Sequence, residues 1–324
     1  MSSNTETLRG ITDPAKRADF VLSGLSSGGE IQPQAASKFI QLALNATPLL
    51  ETCRQFEMPS KVFHVPRIVF GGRILRADTG DATGVASGKR AAPTTSEVVL
   101  TAHEYDGEVD IGYQTLEDNV EYEALENTIL TTMAARIGND IESLALGSDT
   151  DEDNSTLVDD GYAQQDGWLK LITSNVVNAS NAAVSKALLE QARVAVALKY
   201  RQQRQGKYRF FVEEHAGNKW RESVSDRMTP GGDAALTGEE LPLVGGTPVK
   251  MVGLMPVVTG SPNTSSAIFT DPQNLYVGMW KKLSIRAQDW PSEKKVRIYV
   301  RARVAFQVEQ EFAASKIINL KAQA

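Results

Sequence analysis

The chain is poor in the side chains that most often carry chemistry. Its 324 residues include a single cysteine, Cys53, and three histidines, His64, His103 and His215. One cysteine excludes an internal disulfide framework and any thiolate cage for a metal, and a lone free cysteine reads as a small buried apolar side chain. The histidines are scattered without ligand spacing, so chemistry that leans on imidazole has no obvious centre. No run approaches the ~18 apolar residues of a membrane helix, and the opening MSSNTETLRG lacks the apolar stretch of a secretion signal; both lead to the expectation of a cytosolic chain. Basic charge is also short. Lys and Arg number 34 against 40 Asp and Glu, a net charge of -6, which argues against gripping nucleic acid by neutralising its phosphates.

What is present is a globular composition, 41% hydrophobic and 23% charged, in a chain long enough for one large or two ordinary domains. Residues 1–32 are polar, end near SGLSSGG and read as an arm. Residues 33–61 join it to the body, with PQAASKFIQLALNATPLL reading as a helix that stops near Pro48. From 62 to 116 the pattern is β, KVFHVPRIVF on one side and EVVLTAHEYDGEVDIGY on the other. Between them ADTGDATGVASGKRAAPTTS has Val85 as its only large apolar side chain and cannot bury enough surface to fold alone. It reads as the tip of a long two-stranded arm ordered by touching another molecule; a surface loop is the alternative.

A long helix follows over about 120–146. Leu125, Ile129, Met133, Ile137, Ile141 and Leu144 fall on one face of it, and Glu117, Asp118, Glu121 and Glu123 crowd its start, where the helix dipole favours negative charge. After an acidic, irregular stretch, residues 168–275 alternate between helices (185–201 and about 218–228) and strands (YRFFVE, PVKMVG, SAIFTD), as a second α/β domain would. The chain then returns through NLYVGMWKKLSIR to VRIYVRARVAFQVEQ. There Val296, Ile298, Val300, Ala302, Val304, Phe306 and Val308 alternate with Arg297, Tyr299, Arg301, Arg303, Gln307 and Glu309. At ~3.3 Å per residue this strand spans roughly 40 Å, about twice the usual length. One face is apolar and the other is crowded with guanidinium groups. Residues 276–324 are grouped with 117–167 in one domain, which makes 168–275 an insertion.

Three local patterns resemble active sites. GLSSG (Gly24 to Gly28) fits the nucleophile elbow of a serine hydrolase with Ser26 as nucleophile, but it lies in a polar arm without the core strand before it and the helix straight after it that the motif requires; a hinge accounts for it. DTDEDNSTLVDD places Asp149, Asp151, Asp153 and Asp160 like calcium-loop ligands, with Asn154 where Gly is needed and Asp160 in place of the bidentate Glu; a solvated acidic loop is the alternative. GVASGKR departs from a phosphate loop by its three-residue spacing and by Arg90 in place of Ser or Thr. No catalytic, cofactor or metal residue is assigned.

Taken in order, GGEIQP leading to LL, VPRI before the hairpin, DGWLKLI, GGTPVKMVGLMP and NLYVGMWKKLSIR with VRIYVRARVAFQV resemble the Hong Kong 97-like major capsid proteins of tailed bacteriophages, over about residues 28–324. The resemblance implies an α+β fold with an N-terminal arm (1–32), an extended loop (62–116), a spine helix with the first part of a peripheral domain (117–167), an inserted axial domain (168–275) and the rest of the peripheral domain (276–324). It implies a non-enzymatic structural protein that assembles with itself, through pentamers and hexamers, into an icosahedral shell around double-stranded DNA. Scaffold, portal and decoration proteins are the implied partners, and the virion, with assembly in the host cytoplasm, the implied location. Some members join subunits by an isopeptide bond from an arm lysine to an asparagine; Lys89 is the only lysine at the arm tip, but the turn DWPSEKK has no asparagine, so no cross-link is expected. The chain also lacks a long N-terminal scaffolding extension, so a separate scaffold is expected. On this reading Lys89, Arg90, Arg297, Arg301 and Arg303 contact neighbouring subunits, pairing with their carboxylates. An encapsulin-type compartment shell has the same fold and stands as the alternative.

Overall fold

In the computed structural model, the described residues are 47–70, 74, 75, 90, 92–114, 122–151, 160–204, 206–226, 243–281 and 284–322. The expected helix leading up to Pro48 lies outside the described residues; α1 (Pro48–Thr52) has Pro48 in its first turn, where the missing N–H costs nothing. Directly after it, β1 (Arg54–Met58) is a strand, so residues 33–61, expected as helical, contribute β structure to the body.

The next β region divides in two. β2 (Val62–Phe70) and β3 (Pro93–Thr101) form a separate two-stranded antiparallel hairpin in register from Val62 opposite Thr101 to Phe70 opposite Pro93. The chain breaks at Ala102, and β4 (His103–Gly112) leaves the hairpin for a five-stranded sheet. The expected second side of the hairpin is therefore shorter than EVVLTAHEYDGEVDIGY, because the alternation at 103–112 matches the body of the protein and not β2. α2 (Tyr122–Gly147) is one unbroken helix of 26 residues. Met133 and Ile141 are buried, and Ile137 and Leu144 pack partly against the core; the side chains of Leu125 and Ile129 lie outside the described set. α3 (Trp168–Leu171) comes soon after.

The second sheet has six strands. β5 (Val176–Asn178), β13 (Ser315–Lys321), β9 (Thr264–Thr270), β6 (Arg209–Val212) and β7 (Val249–Met251) lie side by side in that order, and β8 (Val257–Val258) pairs with β9. α4 (Lys186–Ala195), capped by Ser185 accepting from the Leu188 N–H, and α5 (Leu198–Gln203) are two helices where one was expected, with a break at Val196 and Ala197. α6 (Glu214–Ser225) begins earlier than expected, because Glu213 accepts the His215 and Ala216 N–H groups as an N-cap. The sheet is buried on both faces: Phe210, Val212, Ala267 and Phe269 face one core with Leu189 and Trp220, whereas Phe211 and Ile268 face the other with Trp168 and Leu146. Two-sided burial explains why RFFV and AIF read as continuous apolar runs. Residues 315–321, which follow β12 in the chain, are built into this second sheet as β13.

The five-stranded sheet is organised by β12 (Lys295–Val308), 14 residues long. β10 (Leu275–Trp280) pairs antiparallel with its end and β11 (Ser284–Trp290) with its beginning; β1 adds parallel to β10. β4 pairs with residues 295–304 of β12, which β10 and β11 also engage, so it occupies the opposite edge. All of Val296, Ile298, Val300, Ala302, Val304, Phe306 and Val308 are buried, and full burial of each larger side chain is worth roughly 1.5–3 kcal/mol. Their face meets α2, α3 and α1 through Leu49, Leu50, Ile141, Leu146, Trp168 and Phe306.

Candidate assembly surfaces

The polar face of β12 looks at β4. In the antiparallel register Arg297 stands opposite Asp110, Tyr299 opposite Glu108, Arg301 opposite Asp106 and Arg303 opposite Glu104, and directly opposed side chains are close enough to pair. Arg297 holds Asp110 bidentately, Nε to Oδ1 at 2.6 Å and Nη2 to Oδ2 at 2.9 Å, and reaches Glu108 at 3.6 Å. Arg301 Nε lies 2.7 Å from Asp106 and 2.9 Å from Glu104, and Arg303 Nε lies 2.6 Å from Glu104. Lys295 Nζ adds a second cation to Asp110 at 2.6 Å and also contacts Glu293. Arg297 and Lys295 hold the Asp110 carboxyl well below the usual carboxylate range, and the same contacts push both cations up. Asp106 likewise raises Arg301. Two rings frame the ladder: Arg297 stacks over Trp290 at 5.1 Å and Arg303 over Trp280 at 5.3 Å.

Within the chain, the arginines expected to meet neighbouring subunits already have partners. The carboxylates that pair with Arg297, Arg301 and Arg303 come from the chain's own β4, so these side chains first bind one long strand to another. The signal was present in the sequence: Glu104, Asp106, Glu108 and Asp110 alternate with the same period of two as the arginines. Only the strand register shows that the two alternations face each other. Being partly in water, the pairs are individually modest and screened by salt.

The hairpin is fixed at its root. Leu100 is fully buried among Met58, Ala102, Tyr276 and Ala305, with Phe63, Val65 and Val98 packed on that cluster. Arg67 donates from Nη1 to the Glu309 carbonyl at 2.7 Å and from Nε to Ser96 Oγ at 3.1 Å, and Gln307 Nε2 donates to the Val99 carbonyl at 3.4 Å. His64 pairs with Glu97 across the hairpin at 3.1 Å. Farther out, among the described residues, Ile68 is 65% exposed and residues 93–97 of β3 are all exposed. Ile74 and Leu75 are exposed as well.

Of the remaining candidates, Arg90 is exposed, while Lys89, Ser26 and Asp153 lie outside the described residues. Asp149 and Asp151, the first two positions of the calcium-like pattern, both bind Lys170 Nζ, at 2.9 and 2.5 Å. A lysine stands where the cation would sit, and among the described residues no cluster of His, Cys, Asp and Glu could hold a metal. Cys53 is buried, and burial pushes its thiol pKa well up, away from reactivity. Burial also lowers His103. Among the described residues no helix is long and apolar enough to cross a membrane.

No family model matches the chain. It is 33% identical over 310 residues to the "Putative prophage capsid protein YqbE" of Bacillus subtilis (strain 168), covering 94% of this chain and 97% of that one. This chain belongs to that family of phage capsid proteins. The fold agrees. A chain of the satellite phage P4 procapsid that includes the size determination (Sid) protein superposes with a TM-score of 0.64 at 14% identity, covering 99% of both chains. The holo-SrpI encapsulin complex of Synechococcus elongatus PCC 7942 is also similar, at a TM-score of 0.55 and 12% identity over 85% of this chain and 89% of that one. As a phage capsid protein the chain has a structural role.

Proposed function

We propose that this capsid protein builds an icosahedral shell from copies of itself, through pentamers and hexamers, around double-stranded DNA. The observation that carries the reading is the hairpin of β2 and β3, rooted in the core at Leu100 yet exposed at Ile68 and at residues 93–97. A lone subunit gains nothing by extending such an element into water; a neighbour on which it rests supplies the missing burial. Closed shells need contacts that repeat head to tail, with each interface on the order of 1,000 Å², and an arm carrying Ile68, Ile74 and Arg90 suits one of them.

In this reading 62–101 is the extended loop, α2 the spine helix, the five-stranded sheet the peripheral domain and the six-stranded sheet the axial domain. Residues 1–32, read from the sequence as an arm, lie outside the described residues. Lys89 and Arg90 dock the loop tip, while Arg297, Arg301 and Arg303 meet a neighbour as a charge-compensated ladder and not as bare cations. A separate scaffold, a portal and decoration proteins complete the particle, which encloses DNA without reading its sequence. Assembly takes place in the host cytoplasm.

Electron microscopy and sedimentation of the purified chain test the proposal. Closed shells are the expected product, and a hairpin shortened by joining 67 to 96 through a tight turn stays a folded subunit that forms none. A wild-type chain that remains monomeric with and without the other morphogenetic proteins refutes it. The encapsulin alternative draws on the SrpI likeness and predicts small shells filled with protein and empty of DNA.

A further inference from the structure

The chain crosses between the two sheets at Asp271–Leu275 and again between Val308 and Ser315, and both crossings run through short 3-10 turns. Asn274 knits them together. Its carbonyl accepts the Glu309 N–H at 2.8 Å, its Oδ1 accepts the Gln310 N–H at 3.0 Å, and its Nδ2 donates to the Gln310 carbonyl at 3.1 Å. Over this junction lies Arg204, at the end of α5. It reaches Asp271 Oδ2 with Nη1 at 3.3 Å and Glu309 Oε2 with Nη2 at 2.8 Å. Asp271 closes β9 in the second sheet; Glu309 comes directly after β12 in the first. The contacts continue into the first sheet, where the Tyr276 hydroxyl bonds Glu309 and accepts from Arg54 Nη1 at 3.1 Å, and Arg54 lies over the Phe56 and Tyr276 rings. Tyr208 and Arg201 border the cluster on the α5 side.

The Asp271 side chain is only 4% exposed, and a buried carboxylate is tolerated only while paired. Any change in the angle between the sheets that pulls Arg204 from Glu309, or draws it off Asp271, breaks the bridge and strands a charge. We propose that Arg204 is a latch that holds the two sheets at one mutual angle, and that a shell-forming subunit expresses this angle as curvature. The second clause rests on the capsid reading; the first does not.

Two variants test it. Arg204→Met keeps the apolar stem and removes both ion pairs, and Glu309→Gln keeps the shape and the acceptor for Tyr276 while removing the charge. In unassembled subunits, amide hydrogen exchange at 271–276 and 309–315 is expected to speed up by about tenfold or more in Arg204→Met, and by less in Glu309→Gln, with β4 and α4 unchanged. Exchange that is unaltered at the crossings in both variants, or raised equally throughout the chain, overturns the latch. In shells, the variants are expected to give a broader spread of diameters by electron microscopy than the wild type, and an identical spread despite loosened crossings overturns the curvature claim. If the wild type forms no shells, the capsid reading fails while the exchange measurement still decides the latch.

Discussion

Ile68 and Leu100 sit on the same hairpin and should respond to truncation in opposite ways. Leu100 is fully buried against Met58, Tyr276 and Ala305, so Leu100→Ala removes core contacts and leaves a cavity, at a cost of about 2–5 kcal/mol. Ile68 is 65% exposed; with about a third of a side chain worth roughly 1.5–3 kcal/mol in place, Ile68→Ala costs the isolated subunit about 0.5–1 kcal/mol. The exposed remainder is what a neighbour can bury. Its loss weakens each arm contact by about 1–2 kcal/mol, a factor of roughly 5–30 in the association constant. Denaturant unfolding of the unassembled subunit measures the first quantity, and light scattering against protein concentration measures the second through the threshold for shell formation. The expected result is a stable Ile68→Ala subunit whose threshold rises severalfold, beside a Leu100→Ala subunit that unfolds early. An Ile68→Ala chain that assembles at the wild-type threshold would refute the idea that the outer hairpin is buried by a neighbour.

Charge reversal at Arg301 and Arg303 sets two new carboxylates beside Glu104 and Asp106; we expect the subunit to keep its far-ultraviolet circular dichroism, lose exchange protection in β4 and form no shells, and normal particles would remove the ladder from assembly. Two buried or paired acids give opposite pH signs. Asp110 has a folded pKa depressed by Arg297 and Lys295, so its contribution is present above the unfolded carboxylate range and fades as pH falls below about 4; Asp110→Asn should flatten that acid limb in a melting series. Glu142, 2% exposed in α2, has its pKa raised by burial against α1. Its folded state holds the proton more tightly, so its contribution is full below the unfolded value and is lost as pH rises through the folded one. Glu142→Gln should therefore raise the melting temperature at pH 7, and a lower one would contradict this account. Gly167 abuts the end of α2, where an added Cβ would lie 2.9 Å from the Ala145 carbonyl and 2.9 Å from the Ser148 nitrogen; because backbone cannot step aside, Gly167→Ala should cost about 1–3 kcal/mol in urea.

Periodicity is readable wherever one element dictates its own burial. The alternation over 295–308 and the helical stripe through Met133, Ile137, Ile141 and Leu144 depend on which face of a single strand or helix is apolar, and the chain carries that information locally. The elements that differ from expectation share another cause. Pro48 opens a further short helix, which a proline can do as a first helical residue, and Leu49 and Leu50 pack into the core. Residues 315–321 alternate weakly and group by sequence with their neighbours, yet their hydrogen-bond partners are β9, from Thr264 to Phe269, and β5, at 176–178. Nothing local distinguishes a strand that joins the nearer sheet from one that crosses to the other.

The arginines make the same division at the level of function. The sequence by itself determined a long strand with cations on one face, and a second strand with acids at the same period. Each comes from the two-residue repeat of a pleated chain. Which carboxylates those cations meet was decided by register, a relation between segments almost two hundred residues apart, and the antiparallel pairing places Arg297 opposite Asp110 and Arg301 opposite Asp106. Tertiary structure also decided that Ile68 and residues 93–97 of the hairpin face water, because exposure depends on everything that does not pack there, and no stretch of sequence records its own surroundings.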